Sequence, residues 1–272
     1  MTRKSAGLAA LPVAAALLAT AACGGSGSGG GGGSHAKGVA ASHATHAEPS
    51  PSTGATDNGV AALPAKAISD KARLALMNAS AVRAVGRVDE NGSPITFDLD
   101  MSHAGDCRGT YGEGAAQMEI IKLGRDIWSK PNAAYWSKSV GGGRKGAVVS
   151  ELLKGRYIHG TTADKDMVQM AGVCELIAEM TKSDDSGSSY TKGARSTVDG
   201  VPVIAVEEKD PSSPGVIYVA TRGKPYPIKM APSGQGDQRV DFSAFGKPVS
   251  TGRPPADQVI EYAKIASRLP SS

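Results

Sequence analysis

Gly-x-Pro runs punctuate this chain, and four of them read as hairpin turns: Gly92-Ser93-Pro94, Gly200-Val201-Pro202, Gly223-Lys224-Pro225 and Gly246-Lys247-Pro248. Glycine supplies a positive-φ turn, and proline opens the next strand where a missing N–H does little harm. A chain marked in this way is committed to consecutive hairpins, which lie side by side as an antiparallel meander. Asn91-Gly92 sharpens the first of them, because that dipeptide favours the tight turn a two-residue hairpin needs. The flanking strands are predicted at Val82 to Val88 and Ile95 to Met101. In the second, Ile95, Phe97, Leu99 and Met101 share one side, and Thr96, Asp98 and Asp100 the other. The sheet therefore has one dry face and one wet face.

Further strands are predicted at Cys107 to Gly112, Gln117 to Leu123 and Arg125 to Ser129. After a helical section, sheet resumes at Ser189 to Thr197, Val201 to Glu207, Gly215 to Thr221, Tyr226 to Met230 and Arg239 to Phe242. An N-terminal helix capped by Ser69 or Asp70 runs to about Ser80. Pro131 and Asn132 open a short helix holding Tyr135 and Trp136, and Val148 to Lys154 continues the helical section. From Asp164 to Met180 a single helix is predicted, with Met167, Met170, Ala171, Cys174 and Ile177 on one stripe. A last helix is expected from Pro255 to about Arg268.

The N-terminus has a different character. Arg3 and Lys4 precede a short apolar run, and Ala21 and Ala22 lead into Cys23. These are the marks of a secretory signal, too short to span a bilayer. A cysteine after the small pair resembles a lipobox, so residues 1–22 are read as signal peptide and Cys23 as the site of lipid attachment. Thr20 stands where that motif prefers Leu, Val or Ile. Residues 23–64 are dominated by Gly, Ser, Ala, His, Thr and Pro and read as a flexible tether. His35, His43 and His46 lie there without carboxylates or cysteines at ligand spacing, so no metal is expected. Residues 65–272 are one domain, with 27 Lys and Arg against 24 Asp and Glu, a net of +3. The basic residues form no stripe with aromatics, so nucleic acid is not an expected partner.

Export leaves Cys107 and Cys174 in an oxidising compartment, where a disulfide between them is expected. It would pin the Cys174 helix to the sheet and close a loop of about 65 residues, on the order of 4 kcal/mol in the chain-entropy model. The alternative is two unpaired core thiols.

Several segments carry a resemblance. They are Gly105-Asp106-Cys107-Arg108-Gly109-Thr110, the Ile120 to Pro131 stretch ending in Ile127-Trp128-Ser129-Lys130-Pro131, and Tyr218 to Tyr226. Asp241-Phe242-Ser243-Ala244-Phe245-Gly246 and Pro254-Pro255-Ala256-Asp257-Gln258-Val259 add to them. With the order of elements, they make residues 65–272 similar to the LolA-like carriers, and to the actinobacterial surface lipoproteins of the LppX and LprG group. The resemblance implies an α+β fold, a curved antiparallel half-barrel wrapping an N-terminal helix and a mid-chain helical section. In that family some members hold acyl chains in the apolar space, and with the lipobox the expected place is the outer face of the cytoplasmic membrane.

Residues expected to line that space are Ile95, Phe97, Leu99, Met101, Met118, Ile120, Trp128, Met167 and Met170. Methionine suits adaptable apolar surfaces, and an aromatic content of only 4% leaves little bulk to fill the interior. The partner expected is a lipid or other apolar ligand, with the membrane reached through the N-terminal anchor. The competing reading is a structural lipoprotein with a filled core, whose surface binds another envelope protein.

Enzymatic readings are weaker. Ser189 and Lys192 form S-x-x-K without its companion motifs, and on a strand. Asp98 and Asp100 share the polar face of their strand, where solvation explains them. His103 and His159 read as lone loop histidines, and Asp184-Asp185-Ser186-Gly187 is too short for a calcium loop. Neither catalysis nor a cofactor is expected.

Overall fold

A computed structural model describes residues 55–266 except 91, 140–142, 154, 183–186, 210–213 and 234–235. The signal segment, Cys23, the three tether histidines and Asp184 to Ser186 fall outside these residues. The chain opens on helix α1 (Ala65–Met77) and enters a first meander of β1 (Ala81–Glu90), β2 (Ser93–Ser102), β3 (Cys107–Glu113), β4 (Ala116–Leu123) and β5 (Asp126–Pro131). The helical section holds α2 (Ala133–Ser139), α3 (Gly143–Leu153), α4 (Lys165–Met170) and α5 (Leu176–Thr181), with strand β6 (Tyr157–Thr161) between α3 and α4. The second meander is β7 (Ser189–Val198), β8 (Val201–Lys209), β9 (Gly215–Ala220), β10 (Pro227–Pro232) and β11 (Arg239–Ser243), and β12 (Val259–Glu261) comes last.

These strands make one large, curved, unclosed sheet in the order β12-β6-β5-β4-β3-β2-β1-β11-β10-β9-β8-β7. The two meanders fuse where β11 lies antiparallel to β1, with Phe242 opposite Ala84. Every pairing is antiparallel except that of β12 with β6. One face carries the helices, and its apolar cluster joins Leu76 of α1, the inward residues of β1 and β2, Ile120, Ile127, Ile158, and Trp136, Val149, Leu153, Met167 and Cys174 of the helical section. A second cluster lies where Ile68 and Ala72 of α1 meet Ile204, Val206 and Val219. Fully burying each large side chain of this kind contributes about 1.5–3 kcal/mol. Among the described residues, no helix is long and apolar enough to cross a membrane.

Several expectations are corrected. The ordered chain extends upstream of 65: Asp57 bridges Arg222, the Asn58 amide donates to the Ala220 and Gly223 carbonyls, and Val60 is 2% exposed. Composition hides this segment, because a single buried valine gives no periodicity. Helix α1 starts at Ala65 rather than near Ser69, since its stripe begins with fully buried Ile68 and continues through Ala72 and Leu76. The helix expected over Asp164 to Met180 is three pieces, α4, a 3-10 turn at Gly172–Glu175, and α5. Gly172, a poor helix former, opens that turn.

The last predicted helix is instead two single 3-10 turns flanking β12, where Val259 and Ile260 pair with Tyr157 and Ile158. Strand β6 is not among the predicted strands, because Gly160 breaks its pattern. A Cβ at Gly160 would sit 2.6 Å from Met167 Cγ, so the glycine is what lets α4 approach the strand. The Gly-x-Pro runs at 92, 200 and 223 do join paired strands, whereas the fourth does not. After Gly246, whose N–H donates to the Ala81 carbonyl, the chain leaves the sheet.

Candidate functional site

Alternation along β2 places Phe97, Leu99 and Met101 on the helix-covered face, all buried in the main cluster. Their cross-strand neighbours continue the surface: Leu99 lies opposite Gly109, which lies opposite Ile120, and Tyr111 lies opposite both Phe97 and Met118. Met118 and Ile120 are fully buried, and Ile95 at the end of the row is half-buried. From the helical side, Met167 is fully buried against this surface, while Met170 packs at its margin. Eight of the nine residues expected to line an apolar interior thus share one face.

Trp128 does not. In β5, Ile127 and Ser129 point inward, and Trp128, between them, falls on the opposite face with Ile121 and Tyr157. The period of two decides this: an aromatic at an even step from an outward residue cannot face the core.

Short connections hold the helical roof on the sheet. Cys107 and Cys174 form a disulfide with Cα atoms 5.5 Å apart, joining β3 to the 3-10 turn. The Tyr111 hydroxyl donates to the Met170 carbonyl at 2.5 Å, and Ser129 Oγ lies 3.5 Å from Met170 Sδ. Burial pushes the Tyr111 phenol far above the usual range, with Tyr135 adding to the effect. Around these ties sits a rim of half-buried apolar side chains: Tyr135, Val173, Leu176, Ile177 and Met180.

One polar atom in this region is unpaired. Trp136, on α2, is 4% exposed, and its indole Nε1–H has no hydrogen-bond partner among the described residues. The helix itself is well tied, because Asn132 Oδ1 accepts from the Tyr135 N–H at 2.9 Å and its amide donates to the Ala115 carbonyl at 2.8 Å.

The outer face is polar and ion-paired. Arg83 grips Asp98 through two hydrogen bonds of 2.9 and 2.8 Å, and Asp100 is exposed beside it. His159 is not the lone loop histidine expected. It stands on β6, stacked on Trp128 at 4.8 Å, with Nε2 3.1 Å from Asp126 and Nδ1 3.0 Å from Glu261. Arg253 lies over the Trp128 ring at 5.5 Å and also meets Asp126. Trp128, His159, Arg253 and Glu261 border an open cleft of about 520 Å³, together with Arg156, Pro254 and Lys264. The sequence carries no signal for it, because its parts come from three separated segments. His103 is exposed.

Lys192 donates to the Ala61 and Leu63 carbonyls, so on β7 it holds the N-terminal segment. Among the described residues no cluster of three or more His, Cys, Asp or Glu side chains could hold a metal ion.

No family model matches the chain, and no curated protein matches it. Solved structures give remote likenesses. An uncharacterized conserved protein from Thermus thermophilus is 6% identical, with a TM-score of 0.34 over 72% of this chain and 98% of that one. MucB is 16% identical with a TM-score of 0.32, over 71% of this chain and 61% of its own. A domain named for outer membrane lipoprotein sorting, from Vibrio parahaemolyticus, is 11% identical with a TM-score of 0.24, over 73% of this chain and 82% of its own. Likenesses this remote carry no inference about what this chain does.

Proposed function

We propose that this protein is an extracytoplasmic, lipid-anchored carrier that binds a lipid or other apolar ligand between the inner face of its sheet and the helical section. Cys23 is the anchor in this reading, the membrane surface is the place of work, and no chemistry is performed. The observation that carries it is the roof itself. Helices α2, α4 and α5 hold 7, 6 and 6 residues. Helices this short have almost no stability of their own. Their apolar side chains form a half-buried rim over a largely apolar face, so sliding or lifting the roof exposes oily surface without breaking a rigid element. Met101, Met118, Met167 and Met170 suit such a seam, because unbranched thioethers repack around differently shaped chains. The disulfide and the Tyr111 bond keep the roof attached as it moves.

A fluorescent fatty-acid displacement assay on the refolded, delipidated chain tests this reading. Saturable binding that is displaced by unlabelled lipid and lost in Met170→Glu is the expected result. Absence of probe binding, with the fold intact, favours a surface that engages another envelope protein.

A further inference from the structure

We infer that the ligand carries a neutral hydrogen-bond acceptor, an ester or amide carbonyl at the head of an acyl chain, and that Trp136 Nε1–H reads it. This rests on the carrier reading above and names the ligand class. An indole N–H is a donor only, with no way to satisfy itself by turning or changing tautomer. Buried donors find partners in the great majority of cases, and an exception calls for an explanation. Here the N–H lies in an apolar cluster with Val149, Leu153 and Ile158, and the Trp136 ring is 4% exposed.

Nothing in the local backbone requires the tryptophan. Asn132 already caps the first turn of α2, and the Trp136 backbone N–H already donates to the Asn132 carbonyl at 3.2 Å. A phenylalanine would fill an apolar site of this kind without bringing in an unpaired donor. The donor also sits where α2 and α3 meet the inner face of the sheet, on the cluster that the acyl chain would share with Leu99 and Met167. A carboxylate fits poorly, because an unpaired charge in apolar surroundings costs far more than a neutral carbonyl. A plain hydrocarbon leaves the donor unsatisfied. A carbonyl at the head of an aliphatic chain meets both demands.

The test uses the whole chain carrying Cys23→Ser, refolded with its disulfide and free of lipid. Methyl laurate is compared with tetradecane, the alkane of matching chain length, each delivered from cyclodextrin. The chain has two tryptophans, so an ¹⁵N spectrum shows two indole signals, assigned with Trp128→Phe. The inference expects methyl laurate to bind about tenfold more tightly than tetradecane. It expects the Trp136 indole proton to move downfield with the ester and not with the alkane, and Trp136→Phe to bind both ligands equally. If both ligands bind and the indole signal responds alike to each, the inference is overturned and the carrier reading stands. If neither binds, the carrier reading fails and takes this inference with it.

Discussion

The Tyr111 hydroxyl, on the inner face of β3, donates a 2.5 Å hydrogen bond to the carbonyl of Met170 at the end of α4. It is one of the polar ties of the roof, beside the Lys138–Glu113 ion pair of α2 with β3 and the disulfide. Tyr111→Phe leaves that carbonyl without its partner. The expected loss is roughly 1–3 kcal/mol in urea unfolding, with the near-ultraviolet spectrum of the folded state preserved. A change within error would mean that α4 is held by packing alone.

The tyrosines also set the behaviour in alkali. Tyr262 donates to Asp166 Oδ2 at 2.5 Å, and that bond, followed by burial, pushes its phenol up to about 12. Burial first, then the hydrogen bond to Glu119, raises Tyr157 further, and burial raises Tyr111. The folded chain therefore keeps protons that the unfolded chain releases near pH 10, so stability is complete below about pH 10 and declines above it. Urea midpoints measured from pH 8 to about pH 11.5 should fall above about pH 10, less steeply in Tyr262→Phe. A flat profile would show that these phenols are not held in the folded state.

Reduction should loosen the whole roof. Cys107 and Cys174 are 67 residues apart, and opening a loop of that size costs about 4 kcal/mol in the chain-entropy model. The expected result is a large downward shift of the urea midpoint with dithiothreitol, reproduced without it by Cys107→Ser with Cys174→Ser. A shift below about 1 kcal/mol would place the joint of β3 and the 3-10 turn among the regions already open.

Gly109 is required by close approach. It has φ 153°, and a Cβ there would lie 2.0 Å from the Asp98 carbonyl oxygen, a backbone atom of the paired strand that cannot swing aside. Gly109→Ala should part β2 from β3 and lower stability by at least the roughly 1–3 kcal/mol typical of overpacking. An unchanged urea midpoint would contradict the strand spacing described for this pair.

Much of this is legible in the sequence, for physical reasons that also explain what is not. The alternation Ile95, Phe97, Leu99, Met101 shows which side of β2 is dry, because side chains in a strand must alternate. The same rule, applied to β5 with the correct register, places Trp128 outside. The sequence alone does not supply that register, since β5 begins at Asp126 and the tryptophan could start on either face. His159 reads as a lone histidine because its partners, Asp126 and Glu261, lie 33 and 102 residues away. Val259 and Ile260 carry no signal that distinguishes a short parallel edge strand from a helix, and only their pairing with β6 decides. Trp136 falls in a helix as its flanking residues predict, but an unpaired N–H is visible only once the neighbours are known.

In the proposed carrier, the inner face of the sheet receives a lipid. Native mass spectrometry of the exported chain, carrying Cys23→Ser and purified without detergent, tests it most directly. The expected result is a reproducible added mass that extraction identifies as lipid and that bulky substitution of Leu99 abolishes. A bare polypeptide mass, unchanged after incubation with host lipids, would contradict it.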